Sequence, residues 1–421
     1  MTKAPPDRLA PQAWMRTPAI RRVVAALEED GEEARLVGGC VRDALAGRPI
    51  KDIDLATPLR PEAVIERLER AGIRVVPTGL SHGTVTAIVG PRKDAVEITT
   101  LRVDRETDGR RAIVDFTDDW TADAARRDFT INAISLSSDG RIHDPFGGAA
   151  DLAQGRVRFV GEASQRIAED YLRLLRFFRF HAYYGRGAMD PEALAAAREL
   201  APGLARLSAE RVREELLRLL AAPDPLACLE AMREGGVLQV ILPEAGSLQA
   251  LKSLLRLEHR SGVPHDTIVR LAALLIEGSQ ATEAAGERLK LSTKDQRALS
   301  LLRSLAESLG AGEGVEDVGR ALHRHGPATV ERAQALAWAR MEVPPAAAAR
   351  ADQLTRIRAW REIAFPLKGK DLLTAGLAPG PEMGHLLRAL EEWWLEEDRR
   401  PDREACLERL HKCVRPGGGS K

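Results

Sequence analysis

The sequence predicts an α+β protein: a head built on a small mixed sheet, followed by an elongated, all-helical neck, body and tail. Two observations carry this reading. Short β-branched runs punctuated by Gly, Pro or Asp ("EARLVGG", "KDIDLAT", "GIRVVPTG", "GTVTAIVG", "DAVEITTLR", "INAISLSSDGRIHDP") crowd the first third of the chain. Beyond about residue 155 the apolar pattern turns helical, as in "SQRIAEDYLRLLRFFRFHAYYG" and "SAERVREELLRLLAA", with no repeat of fixed period.

In order, "TPAIRRVVAALEEDG" and "RPEAVIERLERAG" read as helices between the head strands; the second has Pro in its first turn and Gly past its end. The composition shift near 155, "PDP" at 223–225 and "VPP" at 343–345 mark the boundaries. They predict a head over 1–155, a neck over 156–223, a body over 224–343 and a tail over 344–421. A chain of 421 residues exceeds one ordinary core.

A 44% hydrophobic and 29% charged composition fits a globular protein in water. The formal net charge of zero gives no global attraction to a polyanion, so any nucleic acid must meet a local basic patch. Cys40, Cys228, Cys406 and Cys413 lack metal or disulfide spacing, which fits a reducing cytoplasm. The N-terminal "MTKAPPDRLAPQAW" has no apolar core of a signal peptide, and no run reaches the ~18 apolar residues of a membrane span. The closing "RPGGGSK" is left out of the fold reading.

The stretch "GGCVRDALAGRPIKDIDLAT", residues 38–57, carries the chemistry. Gly38 and Gly39 precede a short helix whose free N–H groups make an anion site, with Arg42 on its first turn as a bidentate phosphate contact. Alone, a double glycine is a weak signal. On a strand, Asp52 and Asp54 share one face while Ile53 and Leu55 enter the core. Such a pair is either the solvated face of an edge strand or a site for a hard cation such as Mg²⁺, bound through carboxylates and substrate phosphates. The neighbouring anion turn favours the second reading. Glu97, in "AVEITTLR", is the best third carboxylate for a two-metal site.

Further blocks follow: "DAARRDFTINAI" (123–134), "HDPFGGAADL", "AEDYLRLLRFFRF" and "ERVREELLRLL". With the opening block they resemble the bacterial and eukaryotic class of tRNA nucleotidyltransferases and the related bacterial poly(A) polymerases. That group belongs to the DNA polymerase β-like nucleotidyltransferase superfamily. The five blocks cover residues 38 to about 220, and "FPLKGKDLL…GLAPGPEMG" (365–384) looks like the tail of many bacterial CCA-adding enzymes.

The resemblance implies a polymerase β-like nucleotidyltransferase head and residue roles. Gly39 and Arg42 match nucleotide-binding positions, and Asp52 and Asp54 match metal ligands. Arg127 matches a nucleotide contact, with Asp128 and Asn132 as ribose contacts. Asp170, Arg173, Arg176 and Arg179 match the nucleotide-reading and phosphate-holding face, and Arg211 and Glu215 a structural ion pair. The implied reaction is attack of an RNA 3′-hydroxyl on the α-phosphate of CTP or ATP, with Mg²⁺ as cofactor and the acceptor arm and 3′ end of tRNA as partner. No protein partner is implied.

Asp170 and Arg173 also have a chemical reading of their own. As i,i+3 neighbours on a helix they present an acceptor beside a donor, which matches the amine and ring nitrogen of C and A and opposes G and U. The other reading is a surface ion pair.

Rival functions are weighed by particular residues. Poly(A) polymerases typically turn basic toward the C-terminus, whereas "EMGHLLRALEEWWLEEDRRPDREACLERL" leans acidic. Enzymes adding only CC or only A are a second alternative; the stretch 101–120 with its Gly109 hinge looks intact, which favours full CCA addition. His265-Asp266 hints at a metal phosphohydrolase but lacks further ligands, so Asp266 is read as a helix N-cap. Trp393-Trp394 is read as packing.

Overall fold

In the computed structural model, the residues described are 7–10, 12–89, 94–107, 112–310, 315–397 and 399–414. Gly109 and the closing "RPGGGSK" lie outside them. The chain divides into two compact units, Met1–Pro243 and Glu244–Lys421.

Among its described residues the first unit holds nine strands: β1 (Arg35–Val37), β2 (Ile53–Thr57), β3 (Arg74–Gly79), β4 (Thr84–Val89), β5 (Asp94–Thr100), β6 (Arg102–Thr107), β7 (Ala112–Phe116), β8 (Ser135–Ser137) and β9 (Ile142–His143). Seven form one sheet in the order β3-β4-β5-β2-β1-β8-β9, and β6 and β7 form a separate hairpin. The large sheet is mixed: β2 and β5 run parallel, and its other pairs are antiparallel.

One face of this sheet is closed by α1 (Pro18–Leu27) and α3 (Pro61–Arg70). Both begin with proline, whose missing N–H costs nothing in a first turn, and Thr17 Oγ1 accepts the Ile20 amide at 3.3 Å to cap α1. Val23, Leu27, Leu68, Leu36, Leu55, Val85 and Ile98 meet in a buried core. Between β1 and β2 lies α2 (Gly39–Leu45). Helices continue with α4 (Trp120–Ala125), α5 (Gly148–Gln154), α6 (Ala163–Glu169), α7 (Leu172–Tyr184), α8 (Pro191–Leu200) and α9 (Ala209–Leu220), with α7 against α9 and α6 against α8.

The "DPFGG" block has a local reason. Asp144 accepts the amides of Gly148 at 2.8 Å and Ala149 at 2.9 Å, capping α5. Fully buried Asp151, one turn on, accepts Thr130 Oγ1 at 2.7 Å and Arg158 Nε at 3.0 Å.

The second unit is helical from Gln249–Ser261 to Arg403–Val414. Asp266 accepts the Ile268 and Val269 amides at 2.9 and 3.0 Å, so it caps the next helix as the sequence indicates. Arg303 is 2% exposed and donates to the carbonyls of Ala272, Leu275, Ile276 and Gly278, satisfying that helix's C-terminal end. Burial pulls its pKa down to about 10. Trp394 is a core residue whose indole donates to the Pro401 carbonyl at 2.9 Å, and Trp393 packs against the same cluster.

A methyl group on Gly148 would sit 2.0 Å from the Thr130 carbonyl oxygen. Backbone cannot yield as a flexible side chain does, so Gly148→Ala is expected to destabilise the protein by about 3 kcal/mol. A lowered midpoint of urea unfolding would register this; an unchanged midpoint would contradict the close approach.

Candidate active site

β1 leads into Gly38, whose φ of +69° is a left-handed conformation that glycine adopts without strain. A Cβ there would stand 3.4 Å from Arg127 Nη1 and 4.0 Å from Asp54 Oδ2. The glycine turn, the β2 carboxylate and the arginine therefore converge on one place. Gly39 opens α2, close to the guanidinium of Arg42.

The acids come from neighbouring strands. Asp54 lies on β2 in register with Glu97 on parallel β5, which sets their side chains on the same face. Asp52 is exposed and sits one residue ahead of β2, rather than on the strand itself. Desolvation first, then repulsion from Glu97 and from Asp52, pushes the Asp54 pKa up to about 6 against the opposing pull of Arg127. Three carboxylates thus interact, although among the described residues no three His, Cys, Asp or Glu form a closed ligand cluster. Cys40, next to the turn, is buried and its thiol is pushed to about 11, which leaves it unreactive.

Behind the turn runs a continuous polar chain. Arg42 donates to Asn132 Oδ1 at 2.7 Å, Asn132 Nδ2 donates to Asp128 Oδ1 at 2.9 Å, and Arg176 Nε donates to Asp128 Oδ2 at 2.7 Å. Asp128 and Asn132, expected as ribose contacts, are both buried and already engaged in holding these two arginines. The ion pair with Arg176 and the bonds to Asn132 and the Phe129 amide outweigh burial and hold the Asp128 carboxyl below its usual range. Arg42, Arg176 and Arg179 all lie over the buried Phe180 ring, at 5.1, 5.3 and 4.4 Å from its centroid. Tyr184 supports Arg42 further, with its hydroxyl donating to Asp43 at 2.6 Å and its ring 4.5 Å from the guanidinium.

Asp170 corrects the sequence reading. The i,i+3 argument needs it on the same helix as Arg173, yet its backbone is extended, with φ −151° and ψ 107°, at the break between α6 and α7. The cause is local: Oδ1 accepts the Leu172 amide at 3.0 Å, an arrangement that competes with helix continuation. Its Oδ2 receives Arg211 at 2.7 Å, while Arg173 is paired with Glu169 at 2.6 Å. Arg211 and Glu215 were expected to pair along their own helix. Instead of closing locally, they reach across: Arg211 to Asp170, and Glu215 to Arg179 at 2.5 Å. Contacts between elements outrank the helical spacing here because both pairs are partly desolvated, where an ion pair is stronger.

Sequence reading missed Asp123, Asp43, Phe180, Tyr184 and Glu169. Asp123 and Glu169 left a usable signal: Asp123 lies three and four residues before Arg126 and Arg127, and Glu169 lies three after Arg166 and four before Arg173.

Comparison with known proteins now bears on this geometry. Residues 34–158 match the family described as "Poly A polymerase head domain", and residues 188–248 match "Probable RNA and SrmB- binding site of polymerase A". The chain is 36% identical over 390 residues to "CCA tRNA nucleotidyltransferase 1, mitochondrial" of Danio rerio, covering 90% of this chain and 87% of that one. This chain belongs to the CCA tRNA nucleotidyltransferase family. A CCA-adding enzyme of Streptococcus pneumoniae is 34% identical over 390 residues, covering 91% of this chain and 94% of the relative. The solved structure of the Bacillus stearothermophilus CCA-adding enzyme in complex with CTP superposes with a TM-score of 0.74 at 28% identity, covering 93% and 95% of the two chains. The α+β architecture expected from the sequence is therefore that of CCA-adding enzymes, with the head match enclosing Gly38, Asp52, Asp54, Glu97 and Arg127.

Nucleotidyltransferases of this kind use divalent cations. The residues present fit one. Asp54 is partly desolvated among like charges, an arrangement that a cation relieves, and a small hard ion needs only one or two carboxylates when phosphates supply other ligands.

Unfolded aspartate titrates near about 3.9. Folded Asp54 titrates at about 6, so the native state binds this proton more tightly. Its contribution to stability is present in full below about pH 3.9 and is lost as pH rises through about 6. In chelator-treated protein, Asp54→Asn is therefore expected to raise stability by about 1–3 kcal/mol above pH 7 and to change it little at pH 4. Urea unfolding across this range tests the point, and a pH-independent difference would refute it.

Proposed function

We propose that this protein adds C, C and A in turn to the 3′ end of tRNA, using CTP and ATP, without a nucleic-acid template and with release of pyrophosphate. The convergence of Gly38, Asp54 and Arg127 carries this reading, because it joins a place for phosphates to a place for a cation. The relatives named for CCA addition support the choice of product.

Asp52 and Asp54 are the residues that would hold Mg²⁺, with Glu97 the third acid at the site. When bound there, such an ion would lower the pKa of the attacking 3′-hydroxyl and neutralise charge on the triphosphate. The Gly38–Gly39 backbone, Arg42 and Arg127 receive the nucleotide phosphates. The Asn132–Asp128 chain keeps Arg42 and Arg176 in fixed positions, so little reorganisation is needed when charge moves during transfer. Asp170 and Arg173 read the base, with Arg176 and Arg179 behind them. An incoming base competes with Arg211 for Asp170 and with Glu169 for Arg173, so only one with both a matching donor and a matching acceptor displaces these partners.

The same reading divides the labour along the chain: catalysis in 1–155, base recognition in 156–223, and tRNA grip by the body over 224–343 and the tail over 344–421. Duplex RNA is recognised through shape and backbone, which suits a helical surface. No helix among the described residues is long and apolar enough to cross a membrane. Cys40, Cys228, Cys406 and Cys413 are all free thiols, which supports a cytoplasmic setting.

A tRNA transcript lacking its 3′ CCA, incubated with protein, Mg²⁺, CTP and ATP, is expected to grow by three nucleotides and stop. A long A tail would indicate a poly(A) polymerase, and addition of C alone or A alone a partial enzyme. Asp52→Ala or Asp54→Ala should each slow transfer by about 10³-fold while tRNA binding persists, as expected for losing several kcal/mol of charge stabilisation. Near-normal turnover in either variant would misplace the cation site.

A further inference from the structure

We propose that Asp123 is a positioning residue for nucleotide binding, aiming the Arg127 guanidinium at the place where Gly38 and Asp54 meet. This deepens, and rests on, the reading of Arg127 as a nucleotide contact. Asp123 touches no reacting atom in that reading and acts through the arginine.

Three observations carry it. The Asp123 side chain is only 5% exposed, so it is no solvated surface acid. Its Oδ2 accepts Arg127 Nη2 at 3.1 Å, while the other terminal nitrogen of the same guanidinium, Nη1, is the atom 3.4 Å from the Cβ position of Gly38. One end of the fork is thus held by Asp123 and the other faces the glycine turn. The Asp123 rotamer is itself fixed, because Oδ1 accepts Arg126 Nε at 2.8 Å and the backbone amide of Arg102 at 3.3 Å.

The Arg102 amide belongs to the first residue of β6, so the carboxylate that aims Arg127 is also fastened to the root of the β6–β7 hairpin. Arg127's further bond, from Nη1 to the Asn132 carbonyl, is long at 3.4 Å. A planar fork anchored on one side has little freedom to turn, which is the condition for presenting its other side to an anion at low entropic cost.

Asp123 remains ionised. The ion pairs with Arg126 and Arg127 overcome the desolvation that acts first on it and hold its pKa below the usual aspartate range. Asparagine has the same shape but must turn an N–H₂ group toward one of its three donors. It therefore loses the charge and sets a donor against a donor.

The test is steady-state kinetics of CCA addition with Asp123→Asn, Asp123→Glu, Arg127→Ala and the Asp123→Asn/Arg127→Ala double variant. Unfolding midpoints and tRNA binding are recorded for each. Asp123→Asn is expected to raise KM for CTP and for ATP by about tenfold, in line with loss of one charge-assisted hydrogen bond, with kcat and tRNA affinity changed far less. In the Arg127→Ala background it should add less than about twofold, because the two residues act as one unit. Asp123→Glu, which keeps the charge but displaces it, should give an intermediate KM; if Asp123→Asn does not fold, this variant carries the test by the same criterion.

Unchanged KM in a folded Asp123 variant, or full additivity in the double variant, would overturn the proposal and leave Asp123 a structural acid. If Arg127→Ala itself leaves KM unchanged, the reading of Arg127 as a nucleotide contact fails, and the proposal with it. If Arg127→Ala raises KM while the Asp123 variants do not, only the role of Asp123 falls.

Discussion

Repulsion among carboxylates is the constraint around which the first unit is built. Parallel pairing of β2 with β5 sets Asp54 beside Glu97, and the loop entering β2 brings Asp52 near. No fold gains stability by such an arrangement. Burial of Leu55, Val96 and Ile98 on the opposite side of the same strands holds it in place. The sheet tolerates the conflict because backbone pairing and apolar packing are settled on one face while the acids occupy the other. Under the proposed function a cation and a triphosphate would relieve it together, beside the adjoining glycine turn.

The positive side of the site is arranged by opposite means. Arg42, Arg127, Arg176 and Arg179 are each anchored by a carboxylate or amide and, for three of them, by the Phe180 ring. A free arginine would gain more contacts with a ligand but would lose more conformational freedom in making them. Anchored arginines have already given up that freedom on folding. The network is also continuous, since Asn132 and Asp128 link an arginine on α2 to one on α7. The helix that opens at the glycine turn and α7 are thereby joined through two buried side chains.

Much of this was legible beforehand. Gly38, Asp54 and the strand carrying Glu97 could be read because their signals are local: a glycine before a helix and alternation along a strand. The N-cap role of Asp266 and the packing role of Trp394 are legible for the same reason. Asp170 was misread because helical periodicity says nothing about a side chain that captures a nearby amide and breaks the helix. The partners of Arg211 and Glu215 were misread because spacing along one helix cannot weigh a competitor on another. Phe180 looked like one more apolar position in a helix; Arg176 and Arg179 stand close to it in the chain, but nothing local announced that Arg42 joins them over its ring.

The sequence by itself determined the α+β order of elements and the family, since these depend on residue types and short spacings. Tertiary structure alone decided that Glu97 stands in register with Asp54, that Arg127 is steered from Asp123 toward the turn, and that Asp128 and Asn132 serve as internal linkers. The physical reason is that a charge's partner is chosen by distance and desolvation in three dimensions, and those are fixed only when strands and helices remote in the chain pack together.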